Sequence, residues 1–271
     1  MLGARTDIAA EDLPQDGGEL PGVRSETLVR DGVLCTRVEV LDARGEKSLC
    51  KPIGKYITVD VETFFQRREN AFGASVKLLS SFITELLPLR SGESVLVAGL
   101  GNPDITPDAI GPEAAALTLA TLHLTQRMPE EFSGFRPVSV CRTGVLGTTG
   151  MESAEVIRAL CGAVHPKAVA VVDALASRST EKLCRTVQLT DSGIVPGSGV
   201  GNDRSELSRR VFGIPVLAIG VPTVVDAGEG LIVTPRDIDR YVKDAGKLIA
   251  YALNLAFHPG LTLTDIDMFV G

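Results

Sequence analysis

The sequence predicts an α/β fold, in which a mainly parallel central sheet is covered by helices on both faces and carries an antiparallel β extension near the N-terminus. Three observations lead to this prediction. Short apolar runs at 95–98, 168–172 and 216–220 are bounded by glycine or polar residues, as is typical of buried parallel strands. Segments of helical period lie between these runs. Aromatic residues are only 4% of the chain and tryptophan is absent, so the core must be aliphatic.

The N-terminal part of the chain changes from a loose composition to strand signals. Residues 1–24 are rich in glycine, proline and acidic residues, and we expect an extended or mobile arm there. The dipeptide Asp31-Gly32 is typical of a hairpin turn, and Pro88 is a helix stop. The predicted elements of this part are strands at 27–30, 33–40 and 56–61 and a helix over 64–87.

The rest of the chain alternates strands and helices without an internal repeat or a domain boundary, so we expect one domain. Pro112 suits a first helical position, and Thr149 to Glu152 fits a helix capping box. A glycine-dense loop covers 190–202. The predicted elements of this part are strand 95–98, helix 112–127, strand 137–141, helix 151–163, strands 168–172, 186–189 and 216–220, helix 236–255 and a short helix from Thr264.

Charge and cysteine content exclude several classes of partner. The 271 residues include 27 basic and 34 acidic side chains, a net charge of −7 that disfavours direct binding to nucleic acid. The five cysteines are widely spaced without a CxxC pair, which indicates reduced thiols in a cytoplasmic protein. We find neither a secretion signal nor an apolar run approaching ~18 residues, so no membrane partner is expected.

Aspartates near the ends of two predicted strands are the strongest candidates for chemistry. Asp108 follows strand 95–98 through a polar loop, and Asp173 directly follows strand 168–172. Ligands of open α/β sheets bind outside the carboxyl ends of the strands. Two neighbouring carboxyl groups cannot both ionise cheaply, so such a pair provides an acid and a base at one pH. The alternative is that each aspartate caps the next helix or turn, and Asp104 is an equal candidate beside Asp108.

Other catalytic and binding motifs fit less well. Gly99 and Gly101 lack the third glycine of a dinucleotide fingerprint, and the loop 197–201 lacks the Lys-Ser/Thr ending of a P-loop. The single Asp-Ser-Gly at 191–193 does not supply the two copies that a pepsin-type protease needs. A serine or cysteine triad and a zinc site are disfavoured by the positions of the three histidines, His123, His165 and His258.

Long segments of the chain carry a specific family resemblance. They are LVAGLGNPDITPDAIGP, RPVSV, TGVLGTTGMES, VDALASRS, QLTDSGIVPGSGVGN and PVLAIGVPTVVDA. Together they resemble the germination protease of endospore-forming bacteria, the endopeptidase that degrades small acid-soluble spore proteins. The resemblance runs from Arg5 to Asp226 and, more loosely, through the C-terminal helix.

This resemblance implies a hydrolase of the spore cytoplasm, the spore core. It implies a homotetramer made as a zymogen during sporulation and active in germination, with small acid-soluble spore proteins as substrates. Family substrates are cut after an acidic residue, in a context similar to Thr6-Asp7-Ile8-Ala9-Ala10-Glu11. We therefore expect self-cleavage between Asp7 and Ile8, with residues 1–7 as a propeptide and residues 8–271 as a single peptidase domain.

The resemblance also implies an atypical aspartic protease. Its motifs place the catalytic pair at Asp108 and Asp173, with Asn102 and Glu152 as secondary candidates. Backbone amides of the 99–102 turn or the 197–202 loop are expected to stabilise an oxyanion, and neither a metal nor a cofactor is expected. The more distantly similar hydrogenase maturation proteases bind nickel with a histidine, which this chain lacks at a matching place. A hydrogenase-maturation-type endopeptidase and a non-catalytic binding or assembly protein of the same fold are the alternatives.

Overall fold

The chain folds around a single mixed sheet. The computed structural model describes residues 6–14, 18–66, 69–201, 204–228 and 231–270. Within these ranges the strands are β1 (Val23–Arg30), β2 (Val33–Val40), β3 (Gly54–Asp60), β4 (Val95–Leu100), β5 (Val138–Gly144), β6 (Ala168–Ser177), β7 (Thr186–Thr190), β8 (Val216–Gly228) and β9 (Leu231–Val233). Their order is β1-β2-β3-β7-β8-β6-β4-β5, with β9 paired to β8. Strands β8, β6, β4 and β5 are parallel, whereas β1, β2, β3 and β7 pair antiparallel.

Helices cover both faces of this sheet. They are α1 (Ala43–Leu49), α2 (Glu62–Phe65), α3 (Ala71–Leu86), α4 (Ile110–Ala116), α5 (Leu122–Arg127), α6 (Leu146–Thr149), α7 (Ser153–Val164), α8 (Arg209–Phe212), α9 (Ile238–Phe257) and α10 (Leu263–Val270). On the first face, α3, α4 and α9 pack on the sheet in the largest core cluster. On the second face, α7 packs on β4 and β6. The predicted fold class, including the antiparallel extension, is confirmed.

Two predicted helices are each divided in the structure. The helix expected over 112–127 is divided into α4 and α5 because the side chain of Asn254, on α9, bonds the backbone between them. Its Oδ1 accepts from the Leu119 amide at 2.8 Å and its Nδ2 donates to the Leu117 carbonyl at 2.9 Å. The helix expected over 64–87 is divided into α2 and α3, with residues 67 and 68 outside the described part of the chain.

The strand ends and the capping box also differ from the prediction. Strand β6 continues to Ser177 because it pairs with β8 as far as Val225, and β8 continues to Gly228 because its last residues pair with β9. Asp173 therefore lies within a strand rather than after one. The capping box of α7 is formed by Glu152 and Glu155, not by Thr149 and Glu152. The Thr149 hydroxyl instead accepts from the Met151 amide at 3.2 Å, which starts the helix later.

Part of the expected N-terminal arm is packed on the second face of the sheet. Residues 6–13, termed the docked segment, include a short 3₁₀ helix at Ala9–Asp12. Ile8 and Ala9 are fully buried, and Ala9 belongs to a small core cluster with residues of β2, β3 and α1. The composition of this segment predicted an extended or mobile arm. Instead, Ile8 and Ala9 fill a gap over the antiparallel strands. None of the described helices is long and apolar enough to span a bilayer.

Candidate active site

Asp108 and Asp173 line one cavity at the carboxyl end of β4 and β6. The cavity has a volume of about 550 Å³ and opens between the loop after β4, the end of β6 and the start of α7. Asp7 of the docked segment lines the same cavity. The structure therefore brings together the two predicted catalytic residues and one side of the predicted processing site.

The turn after β4 fixes Asp108. Gly101 has a φ of +105°, and a Cβ at this position would lie 2.0 Å from the Asp108 carbonyl oxygen, so the close approach requires glycine. The Asn102 amide donates to Asp108 Oδ2 at 2.7 Å. Burial raises the pKa of Asp108. The hydrogen bond from the Asn102 amide favours the charged form and offsets part of this rise. Asp108 is thus a half-buried carboxyl group with one fixed donor.

Asp173 is more deeply buried, with 6% of its surface exposed. It lies in β6, whose odd-numbered residues Val169 and Val171 face the core under α7, and its Oδ1 accepts from the Ala174 amide at 2.9 Å. The pKa of Asp173 is raised well above its ordinary value, first by burial and then by the negative charges of Asp108 and Asp7. Asp173 is therefore the group of the pair that most strongly favours the protonated form.

Asp7 is bound at the edge of the cavity by both its backbone and its carboxylate. Its amide donates to the Ala176 carbonyl at 2.9 Å, and its Oδ2 accepts from the Ala176 amide at 2.8 Å. Its Oδ1 accepts from the Ser198 hydroxyl at 2.7 Å. A Cβ on Gly199 would lie 2.3 Å from the Asp7 carboxylate, so the glycine-dense loop fits closely around this group.

One side chain holds the backbone on both sides of the Asp7–Ile8 bond. Gln188, on β7, donates from Nε2 to the Asp7 carbonyl oxygen at 2.8 Å. Its Oε1 accepts from the Ala9 amide at 2.7 Å. Ile8 lies between these two contacts and is fully buried. The peptide bond expected to be cut is therefore fixed in place by a side-chain amide.

Glu11 anchors the downstream end of the docked segment. Its carboxylate accepts from the Ser177 hydroxyl at 2.5 Å, from the Arg178 amide at 2.7 Å and from the Thr6 hydroxyl at 2.5 Å. Lys51 Nζ donates to the Thr6 carbonyl at 2.6 Å. Both ends of the segment are thus held, the upstream end by the loop before β3 and the downstream end by the end of β6.

The family model for the germination protease matches residues 4–229 of the chain. The chain belongs to the germination protease family. It is a peptidase by membership of that family, and hence a hydrolase. The family predicted from the sequence motifs is confirmed.

Full-length relatives support this assignment. The chain is 36% identical to the germination protease of Caldanaerobacter subterraneus subsp. tengcongensis, covering 100% of this chain and 99% of the relative. It is 35% identical to that of Clostridium tetani, covering 99% and 100%. It is 40% identical to that of Bacillus cereus, covering 90% of this chain and 68% of the relative.

A solved structure is also similar to part of the chain. It is the [NiFe] hydrogenase maturation protease HycI from Thermococcus kodakarensis, with a TM-score of 0.40 and 19% identity over 65% of this chain and 98% of that one. At this level of similarity, nothing follows about the chemistry of the present chain. Within the described ranges, no group of three or more His, Cys, Asp and Glu side chains is arranged to hold a metal ion.

The secondary candidates occupy different positions. Asn102 contributes its backbone amide to Asp108, while its side-chain Oδ1 accepts from the Asp104 amide at 3.0 Å within the loop. Glu152 lines the cavity but also caps α7 and lies 3.7 Å from Arg204. Asp104 is exposed and absent from the cavity lining, so the structure separates it from Asp108.

Some of the proposed oxyanion donors already have acceptors within the chain. The Asn102 amide is bonded to Asp108, and the Gly201 amide to the Ser198 carbonyl at 3.2 Å. Asn202 lies outside the described residues. Sequence reasoning did not identify Gln188 or Ser177 as site residues. For Gln188, the one sequence signal was weak: it is a single amide side chain in strand β7, whose other residues are apolar or carry a hydroxyl group.

Proposed function

We propose that this chain is an endopeptidase that starts the degradation of small acid-soluble spore proteins, and that it is made as a zymogen that cuts itself between Asp7 and Ile8. One observation carries the proposal. The docked segment holds Asp7 in the same cavity as Asp108 and Asp173, with the backbone on both sides of the Asp7–Ile8 bond hydrogen-bonded to Gln188.

The proposed chemistry is attack of water on the Asp7 carbonyl carbon by an aspartate pair. Asp108 is half-buried and accepts a backbone hydrogen bond that favours its charged form, so it acts as the base that takes a proton from water. Asp173 is more buried and faces a neighbouring negative charge, so it carries the proton that the leaving Ile8 nitrogen receives. This division of roles follows the difference in burial between the two carboxyl groups.

The docked segment also supports the zymogen part of the proposal. Residues that follow the proposed cut, Ile8 and Ala9, fill the second face of the sheet beside the cavity. While Ala9 and Glu11 of the docked segment are bound, another peptide cannot take the same contacts with Gln188 and Ser177. A seven-residue propeptide therefore inhibits through the residues on both sides of the cut, rather than by its own bulk. The homotetramer and the spore-core location are proposed on the family resemblance alone.

Cleavage of a purified small acid-soluble spore protein tests this function. The full chain is incubated with that substrate beside three variants, Asp108→Asn, Asp173→Asn and the matched control Asp104→Asn, whose side chain lies outside the cavity. We expect cleavage after acidic residues by the wild type and the control only. Binding without cleavage by the wild type would instead support the non-catalytic alternative. Cleavage by the wild type that requires added nickel would favour the hydrogenase-maturation-type alternative.

A further inference from the structure

Gln188 lies in the same row of the sheet as Asp173. In the register of the sheet, Asp173 pairs with Gly220 on β8, and Gly220 pairs with Gln188 on β7. Residues in one row point to the same face, so both side chains project from the second face, two strand spacings or about 10 Å apart. The docked segment lies on that face. Gln188 and Asp173 thus approach Asp7 from the antiparallel and the parallel half of the sheet.

Between them on the second face, the side chain of Leu175 packs over Gly220. A Cβ at this position would lie 2.5 Å from Leu175 Cγ, so a larger residue would displace the side chain that packs there. Leu175 and Gly220 also line a smaller adjoining cavity of about 130 Å³ together with Asp7 and Gln188. Gln188 therefore borders an open space beside the Asp7–Ile8 bond and is not enclosed in a separate core.

The contacts of Gln188 have the geometry of a donor to the reacting carbonyl. Gln188 Nε2 lies 2.8 Å from the Asp7 carbonyl oxygen of the uncut peptide, so only a short movement of that oxygen is needed to place the oxyanion within the range of about 2.7–3.1 Å expected of its donor. Its Oε1 is bonded to the Ala9 amide at 2.7 Å, and this second contact fixes which end of the side-chain amide faces the carbonyl. Gln188 is 5% exposed, so water competes little for either contact.

We propose that Gln188 is the oxyanion donor of this protease and also sets the position of the scissile peptide. The inference rests on the proposed function. When water attacks the Asp7 carbonyl carbon, the C=O π electrons move to oxygen, and Nε2–H of Gln188 stabilises the resulting negative charge. When the intermediate collapses, the C–N bond breaks and the Ile8 nitrogen takes a proton from the aspartate pair. Gln188 gains and loses no proton in this sequence.

Two substitutions separate donation from packing. Gln188→Met keeps a side chain of similar length but has neither the donor nor the acceptor. Gln188→Glu keeps an acceptor for the Ala9 amide, and its carboxyl group donates only when protonated. Gln126→Glu is the matched control, because Gln126 is exposed on α5 and far along the chain from the site. Circular dichroism and thermal unfolding establish that each variant is folded.

The assay is the first-order rate constant for loss of residues 1–7 from the full chain, followed by mass spectrometry between pH 4 and pH 8. We expect Gln188→Met to slow processing about 10²- to 10³-fold at every pH, as for loss of one oxyanion donor. The rate of Gln188→Glu relative to the wild type should rise as the pH falls, because its carboxyl group then donates. A merely structural role would not produce this pH-dependent ratio.

Two results would overturn the inference, and two others would overturn the proposed function on which it rests. Processing of Gln188→Met at the wild-type rate, with Asp173→Asn inactive, would refute the role of Gln188 and leave the proposed function intact. Equal slowing of both Gln188 variants at every pH would show that packing, not donation, is lost. Failure of the folded wild type to process, or unchanged processing in Asp108→Asn and Asp173→Asn, would refute the proposed function itself.

Discussion

Replacement of Asp173 by Asn should make the protein more stable and less active. The amide has nearly the size of the carboxyl group and keeps an oxygen that can accept from the Ala174 amide, which Asp173 Oδ1 does at 2.9 Å. It removes a buried ionisable group that lies near the charges of Asp108 and Asp7. Asp173→Asn therefore removes the ionisable group while leaving the packing around residue 173 nearly unchanged.

The pH dependence of this effect has a definite sign. Because the pKa of Asp173 is higher in the folded than in the unfolded chain, the folded state binds the extra proton between the two pKa values. The stabilising contribution is complete below the unfolded pKa of about 3.8 and is lost as the pH rises through the folded pKa. Each pH unit by which the pKa in the folded chain exceeds the pKa in the unfolded chain lowers the free energy of unfolding by about 1.4 kcal/mol once the pH lies above both values. Asparagine cannot ionise and carries no such cost, so Asp173→Asn is expected to raise the free energy of unfolding at pH 7 by about 1–3 kcal/mol, the usual range for a buried polar group that is poorly accommodated.

Urea unfolding of the wild type and Asp173→Asn at pH 4 and pH 7 measures this difference, with Asp104→Asn as the exposed control. We expect the free energy of unfolding of Asp173→Asn to exceed that of the wild type at pH 7 by more than at pH 4. Its self-processing should fall by about 10²- to 10⁴-fold, the usual effect of losing a general acid. A variant that is less stable at pH 7, or that processes at the wild-type rate, would refute the reasoning.

Three further substitutions test the surroundings of Asp7 and the start of α7. Ser198→Ala removes the hydroxyl that donates to Asp7 Oδ1, and loss of a hydrogen bond to a charged group, about 1.5–3 kcal/mol, should slow self-processing roughly 10- to 100-fold; a rate within twofold of the wild type would contradict this. Gly199→Ala places a Cβ 2.3 Å from the Asp7 carboxylate and should slow processing, whereas Gly162→Ala, in α7 with open space around it, should leave the rate unchanged; equal rates would exclude a close fit at Gly199. Glu152→Ala removes the N-cap of α7 and should lower the free energy of unfolding by about 1 kcal/mol in urea, with a smaller loss of processing than Asp108→Asn; the reverse order would assign Glu152 to the chemistry.

The sequence predicted those features that depend on local patterns. The apolar runs at 95–98, 168–172 and 216–220 all lie in parallel strands, and the polar loop after the first of them carries Asp108 into the cavity. The position of Asp173 was predicted less accurately. A single acidic residue in an apolar run looks like the end of a strand, but β6 continues because β8 pairs with it beyond that residue.

Features that depend on tertiary contacts were not predictable. The break between α4 and α5 is made by Asn254, more than 130 residues away in sequence, so no local signal marks it. The docked segment has the composition of a mobile arm, and only the gap over the antiparallel strands gives Ile8 and Ala9 a place to be buried. Gln188 contacts the segment through backbone atoms, which any sequence presents, so its role has no sequence signature.

The mass of the N-terminus after incubation tests the central claim most directly. The claim is that Asp108 and Asp173 cut the bond that the chain itself holds in their cavity. Purified wild-type protein should lose residues 1–7 and begin at Ile8, and Asp104→Asn should do the same. Asp108→Asn and Asp173→Asn should remain folded with residues 1–7 attached. A new N-terminus at Ile8 in either of these two variants, or a wild type cut only at another bond, would contradict the account.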